Sequence, residues 1–225
     1  RNCAANVVTS GSVGLSTRRA GSAAIAPATS VIIITIGVAV QVRGHSFLTS
    51  SSESEAAQES DQLQGSFFTH ALLSGLRGAA DASGDGKVTF NEAYQFAFDE
   101  TLTKTAATQG GAQHPAYDIR MAGTGDVVLT DVRETTASIV LGPELDGRLY
   151  VWDANHRLLA ELSKPAGRSV ELGLEPGEYE LRYEQQSSLL KTRVLIAKGE
   201  RRAVTRVEMT PLRRQPTRLR GEASG

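Results

Sequence analysis

Acidic residues are missing from the first forty positions: no Asp or Glu stands between Arg1 and Val40, although the 225-residue chain carries 25 of them. Cysteine is nearly absent as well. Cys3 is the only one, which excludes an internal disulfide framework and leaves the compartment open. The chain also lacks a charge imbalance. Its 24 Lys and Arg nearly balance the acids, for a formal net charge of −1, so composition points to neither a nucleic acid nor an acidic partner. Long apolar runs are scarce. Ala20 to Val42 is uncharged, but only Val31–Val40 is strongly apolar, and that piece is rich in β-branched residues. A membrane helix needs about 20 apolar residues, so a buried strand or a non-native segment is expected there instead of a membrane span. Beginning at Arg1 and not at methionine, the chain is expected to be a piece of something longer.

What remains is enough for one large domain or two small ones, and its texture changes along the chain. Residues 1–40 show no clear period. Residues 41–134 alternate strand-like and helix-like stretches. Ser46–Thr49 reads as the end of a buried strand, followed by a Ser- and Glu-rich loop from Ser50 to Asp61. Ser66 is placed to cap a helix running to Gly75 or Arg77, with Phe68, Leu72, Leu73 and Leu76 on one face, and Gly78 ending or bending it. A second helix is expected over Asn91–Thr105, with Tyr94, Phe98 and Leu102 as its apolar face. Asp126–Asp131 reads as a strand. Residues 135–210 hold short alternating segments near 137–141, 148–152, 157–162, 168–172, 178–184, 189–196 and 203–209, with turn residues at each break. Such regular spacing predicts a small β-sandwich. The basic tail, Pro211 to Gly225, is expected to be disordered.

The most specific local signal is the twelve-residue run Asp81-Ala-Ser-Gly-Asp-Gly-Lys-Val-Thr-Phe-Asn-Glu92. An EF-hand loop needs oxygen ligands at positions 1, 3, 5, 7, 9 and 12 and a glycine at 6. These positions fall on Asp81, Ser83, Asp85, the Lys87 carbonyl, Thr89 and Glu92, with Gly86 at the sharp turn and Val88 at the apolar eighth position. Ca²⁺ is a hard cation that takes six to eight oxygens, two of them from a bidentate Glu92. Ser83 in place of a carboxylate and the Lys87 charge predict weak binding, on the order of 10⁻⁴ M. The plain alternative is an acidic, glycine-rich turn between two helices.

Several short blocks resemble, in order and spacing, the bacterial caspase-like cysteine peptidases. They are Gly44-His-Ser-Phe-Leu-Thr-Ser-Ser-Ser, Glu55-Ala-Ala-Gln-Glu-Ser60, Gly65-Ser-Phe-Phe-Thr-His70, Gly75-Leu-Arg-Gly-Ala-Ala-Asp81, Val88-Thr-Phe-Asn-Glu-Ala-Tyr94 and Gln113-His-Pro-Ala-Tyr-Asp118. The likeness covers residues 41–133. It implies the back half of an α/β caspase-like domain, hence proteolysis of a peptide or protein substrate in an intact parent, by a cysteine thiolate with a histidine base. The catalytic turns of that family, Gly-His-Gly and Asp-Ala-Cys-x-Ser-Gly, are absent here, so no catalytic residue is carried over. Cys3 is followed by Ala4-Ala5-Asn6 and reads as a bland terminal cysteine. His45 and His70 lie past the place for a catalytic histidine and read as packed or surface residues. The resemblance also makes Ser50, Ser51 and Glu59 candidates for the substrate cleft, against the alternative of a solvated loop.

In the last zone, Leu172-Gly-Leu-Glu-Pro-Gly-Glu-Tyr-Glu-Leu181 resembles the Pro-Gly-x-Tyr turn of carboxypeptidase-regulatory-like and PEGA-like β-sandwiches, which implies an inward Tyr179. Tyr150 and Trp152 are expected in the core, with a binding face as the alternative. The fold class expected is therefore a partial α/β caspase-like domain followed by a small all-β sandwich. The function expected is a calcium-binding, catalytically silent fragment of a cysteine peptidase, or else a non-catalytic calcium-dependent binding protein. Export from the cytoplasm suits the weak site. Residues 1–40 are either divergent or read from the wrong frame. Under the second reading, translating the other two frames of the coding DNA on the 5′ side of codon 41 is expected to reveal the cysteine turn and, upstream, the histidine turn. Their absence from every frame would establish the divergent segment.

Overall fold

The computed structural model describes residues 13–18, 31–37, 43–51, 57–60, 63, 65–122, 126–186 and 188–212, with backbone alone for those before 47 and for 119–122. The chain is rich in β-sheet, with two α-helices among the described residues. No described helix is long and apolar enough to cross a membrane. Cys3 and residues 213–225 lie outside the described residues.

The strands β1 (Val13–Arg18), β2 (Val31–Gly37) and β3 (Arg43–Thr49) come first, then the short β4 (Glu59–Ser60) and β5 (Gly65–Ser66). Helix α1 (Phe67–Ser74) runs into a wide π turn, Gly75–Ala79. β6 (Lys87–Thr89), α2 (Phe90–Thr105), β7 (Ala116–Ala122) and β8 (Val128–Asp131) follow. One antiparallel sheet has the order β1-β2-β3-β7, so the β-branched run around Val31 does form a strand, paired on both sides. His45 sits within it, opposite Thr35 and Arg120.

Ser66 caps α1 as its sequence predicts, its hydroxyl accepting from the Thr69 amide at 3.1 Å. Phe68, Leu72 and Leu76 are buried, while Leu73 is rotated to a half-buried position. α2 departs from expectation. Tyr94, Phe98 and Leu102 are only half-buried, and the buried face is Ala93, Ala97, Thr101 and Thr105. Small residues let α2 lie close to α1. The two threonine hydroxyls enter that face because each donates to the carbonyl four residues back, Ala97 and Thr101, at 2.6 and 2.8 Å. Tyr94 is instead part of a half-exposed aromatic group, its ring 4.4 Å from that of Tyr117.

The remaining strands are β9 (Ala137–Leu141), β10 (Gly147–Asp153), β11 (Leu158–Lys164), β12 (Val170–Leu174), β13 (Gly177–Gln185), β14 (Ser188–Ile196), β15 (Arg201–Val204) and β16 (Thr210–Pro211). They form a five-stranded sheet, β11-β10-β13-β14-β16, and a three-stranded sheet, β12-β9-β15. Alternate residues of both sheets, among them Leu149, Leu162 and Leu181 from one and Ile139, Leu172 and Val204 from the other, bury one common core. Tyr179 joins it, its hydroxyl donating to the Glu175 carbonyl at 2.7 Å.

Three expectations are corrected here. Tyr150 and Trp152 alternate with the buried Leu149 and Val151, so both lie half-buried on the opposite face, with the Arg182 guanidinium 5.1 Å from the Trp152 ring centre. The 203–209 segment is a strand only to Val204 and then makes a 3-10 turn, Arg206–Glu208, stapled by reciprocal bonds between Thr205 and Glu208. Pro211 and Leu212 do not begin a loose tail: Pro211 pairs with Leu190, and the Leu212 amide donates to the Leu189 carbonyl.

The helices and the C-terminal sheets share an interface. α1 packs on β11 and the π turn on β12, which covers both edge strands on that side. Gly78 makes this possible. At φ +120° it lies so near β12 that an added Cβ would stand 2.1 Å from the Glu171 carbonyl oxygen. Ala79 enters the sheet core and Ala80 the helical one. Beside this contact, Arg148 donates to Glu100 and to Glu161, each at 2.6 Å, Lys104 pairs with the same Glu161, and the Ser163 amide donates to Glu100. The carboxylates are nearly buried, whereas Lys104 and Arg148 keep 18% and 22% of their side chains exposed. Glu161→Ala removes the shared acceptor of both cations. It is expected to lower the unfolding free energy in urea by about 3 kcal/mol, and Glu161→Gln by less.

Candidate functional site: the Asp81–Glu92 loop

The loop grows out of the π turn: the Asp81 amide donates to the Gly78 carbonyl and so fixes the entry. Gly84 and Gly86 adopt φ of +75° and +81°, which lets the chain wrap around the Asp81 carboxylate. One Asp81 oxygen accepts from the Gly84 and Asp85 amides at 2.7 and 3.2 Å, and the other from the Gly86 amide at 2.9 Å. Ser83 Oγ also donates to Asp81, at 3.3 Å, and Asp85 accepts from the Lys87 amide at 2.8 Å.

Glu92 closes the loop from its far end. Oε1 accepts from the Ala82 and Ser83 amides at 3.1 and 3.0 Å, and Oε2 from the Thr89 amide and hydroxyl, both at 3.0 Å. Thr89 Oγ1 in turn accepts from the Glu92 amide, a capping box that starts α2. Thr89 and Glu92, positions 9 and 12 of the loop, are therefore also the helix cap. Partial burial would push the Glu92 carboxyl up, but the bonds from Thr89 and Ser83 outweigh it and hold the group below its ordinary value.

The loop is backed by β8, which starts at Val128, two residues after the start expected from sequence, and pairs with β6. Lys87 and Val88 pair with Asp131 and Thr130 of β8, and Val88 is fully buried. The Val132 amide donates to the Gly86 carbonyl at 2.8 Å, and the Arg133 stem covers Gly86. Arg133 donates to Asp131 at 2.8 Å, and that bond holds the Asp131 carboxyl below its usual range. Arg168 donates to the Ala82 carbonyl at 2.8 Å. Val132, Arg133 and Arg168 escape sequence reading because they reach the loop only through tertiary contact. The apolar alternation of Val127 and Leu129 was the available signal for β8.

Of the residues expected to hold the ion, Asp81, Lys87, Thr89 and Glu92 are half-buried and Ser83 and Asp85 are exposed, all in one turn of chain. Among the described residues, no group of three or more His, Cys, Asp and Glu is gathered closely enough to hold a metal as arranged. The donor set nonetheless fits a hard cation in kind: three carboxylates, the Ser83 and Thr89 hydroxyls and the Lys87 carbonyl in one turn of chain.

Ser50, Ser51 and Glu59 are not gathered with this loop. Glu59 is exposed in β4, whereas Ser50 and Ser51 are buried, contrary to a solvated loop. Gln113, itself fully buried, ties down the Ser50 backbone: it donates to the Ser50 carbonyl and accepts from the Gln58 amide at 2.8 Å. A shallow groove lined by Lys191, Arg193 and Thr210 lies elsewhere, beside β16. No family model, curated protein or solved structure matches this chain.

His70 has no role in the loop but does titrate. Burial first, then the nearby Lys104 and Arg77, lower its pKa to about 4, with Glu161 acting in the opposite sense. The unfolded chain therefore takes up a proton before the folded one does. Stability contributed by neutral His70 is complete above about pH 6.5 and is lost as pH falls toward 4. The unfolding free energy of wild type relative to His70→Gln should be flat above pH 7 and decline by roughly 2–3 kcal/mol over that window.

Proposed function

We propose that the chain is a calcium-binding, catalytically silent portion of a caspase-like cysteine peptidase, acting outside the cytoplasm. The stretch from β3 through α1, the loop, α2 and β7 would be the back half of an α/β caspase-like domain, and residues 137–211 a β-sandwich of the Pro-Gly-x-Tyr class. The observation that carries the calcium assignment is the Asp81–Glu92 turn, wound through Gly86 and closed by the Thr89–Glu92 capping box. Asp81, Asp85 and Glu92 would supply charge, and Ser83, Thr89 and the Lys87 carbonyl neutral oxygens. The ion neutralises carboxylates that otherwise repel one another. The peptidase relation is supported by the ordered sequence blocks between residues 44 and 118.

A second reading, a non-catalytic calcium-dependent scaffold, is favoured by the covered edges of β11 and β12, which make the helices and sheets one packed body. Both readings require the ion. Titration calorimetry is expected to give a Kd on the order of 10⁻⁴ M. Glu92→Gln keeps an oxygen for the Thr89 cap while removing the charge, and is expected to weaken binding at least tenfold, on the order of 1.4 kcal/mol. No heat from the wild type in millimolar calcium would sink the assignment. Peptide cleavage that disappears in Cys3→Ala would sink the claim of catalytic silence.

A further inference from the structure

We propose that calcium at the Asp81–Glu92 loop acts as a clasp between the helices and the C-terminal sheets, so that ion binding and sheet docking strengthen each other. The inference rests on the calcium assignment above. Four contacts tie the loop to neighbouring elements. Its entry, Asp81, hangs from Gly78, whose backbone abuts the Glu171 carbonyl of β12. At its second position, the Ala82 carbonyl accepts from Arg168, in the turn before β12. Its middle, Gly86, accepts from the Val132 amide. Its exit helix carries Glu100, which is bonded to Arg148 and to the Ser163 amide of the five-stranded sheet.

In sensor EF-hands the ion opens the angle between the flanking helices. Here the π turn and α2 are both fastened to the same sheets, so the ion tightens an existing arrangement. Reciprocity follows: whatever loosens the sheets must weaken calcium binding by the same factor.

Trp152, the only tryptophan, lies in β10 and reports the sheets alone. The experiment follows urea or thermal unfolding of the whole chain by Trp152 fluorescence and by helical circular dichroism, with and without calcium at about a hundred times Kd. Both signals are expected to shift together, by roughly 5–10 °C in Tm. Calorimetry of Gly78→Ala, which forces the turn off β12, should show calcium binding weakened several-fold and the Trp152 shift reduced. Arg168→Gln gives an independent check should Gly78→Ala fail to fold. Losing a nearby positive charge would by itself strengthen calcium binding, so weaker binding identifies Arg168 as a positioning residue. Stronger or unchanged binding in Arg168→Gln overturns the clasp. So does a wild type that binds calcium and shifts its helical signal while the Trp152 midpoint stays in place. Absence of any binding heat overturns the calcium assignment and the clasp with it.

Discussion

The approach of the Gly75–Ala79 turn to the edge of β12 is the contact on which the other parts depend. Only a residue without a Cβ can bring the chain this near to the Glu171 carbonyl. From that point Ala79 contributes to the sheet core and Ala80 to the helical core, so two hydrophobic clusters are joined through adjacent residues. The same turn delivers Asp81 to the start of the loop. A single backbone constraint thus sets the packing of the helices, the cover over two open edges and the geometry of the candidate ion site.

Electrostatics then fixes what packing leaves free. A hydrophobic contact between α1 and β11 has no strong preference for one register, since apolar burial is non-directional. The group formed by Glu100, Arg148, Glu161 and Lys104 has such a preference, because each nearly buried carboxylate must meet its cation. The Glu161 amide adds a bond to Ser74 Oγ at 3.2 Å, so the backbone of β11 is aligned with the last turn of α1.

Much of this was legible in the chain itself. The Ser66 cap, the bend at Gly78, the loop residues and most strands of the last zone follow from local rules about hydroxyl caps, glycine and alternation. What failed did so for reasons beyond local pattern. A helix face read from its largest residues selected Tyr94, Phe98 and Leu102, but close helix packing favours Ala93 and Ala97 and admits threonines that bond within the helix. The tendency of strand aromatics to pack inward points Tyr150 and Trp152 to the core, whereas strand parity with the buried Leu149 and Val151 sets them on the opposite face. For the candidate site, spacing picks out the Asp81–Glu92 turn and its glycines. Its supports, Val132, Arg133 and Arg168, were not legible, because they are remote in sequence: Val132 and Arg133 meet the loop only once β8 has paired with β6, and Arg168 only once the sheets have docked.

β9 has one antiparallel partner, β12, and one parallel partner, β15, which arrives near the end of the described chain: Arg201 lies opposite Ser138. Parallel pairing of such distant segments makes for high contact order and slow folding. During synthesis, β9 therefore leaves the ribosome long before its second neighbour exists. In that interval the run Ala137-Ser-Ile-Val-Leu141 presents an unpaired, apolar edge. Molecules cut short before β15 would keep that edge permanently, which makes Arg201–Val204 a safeguard against self-association as well as part of the sandwich.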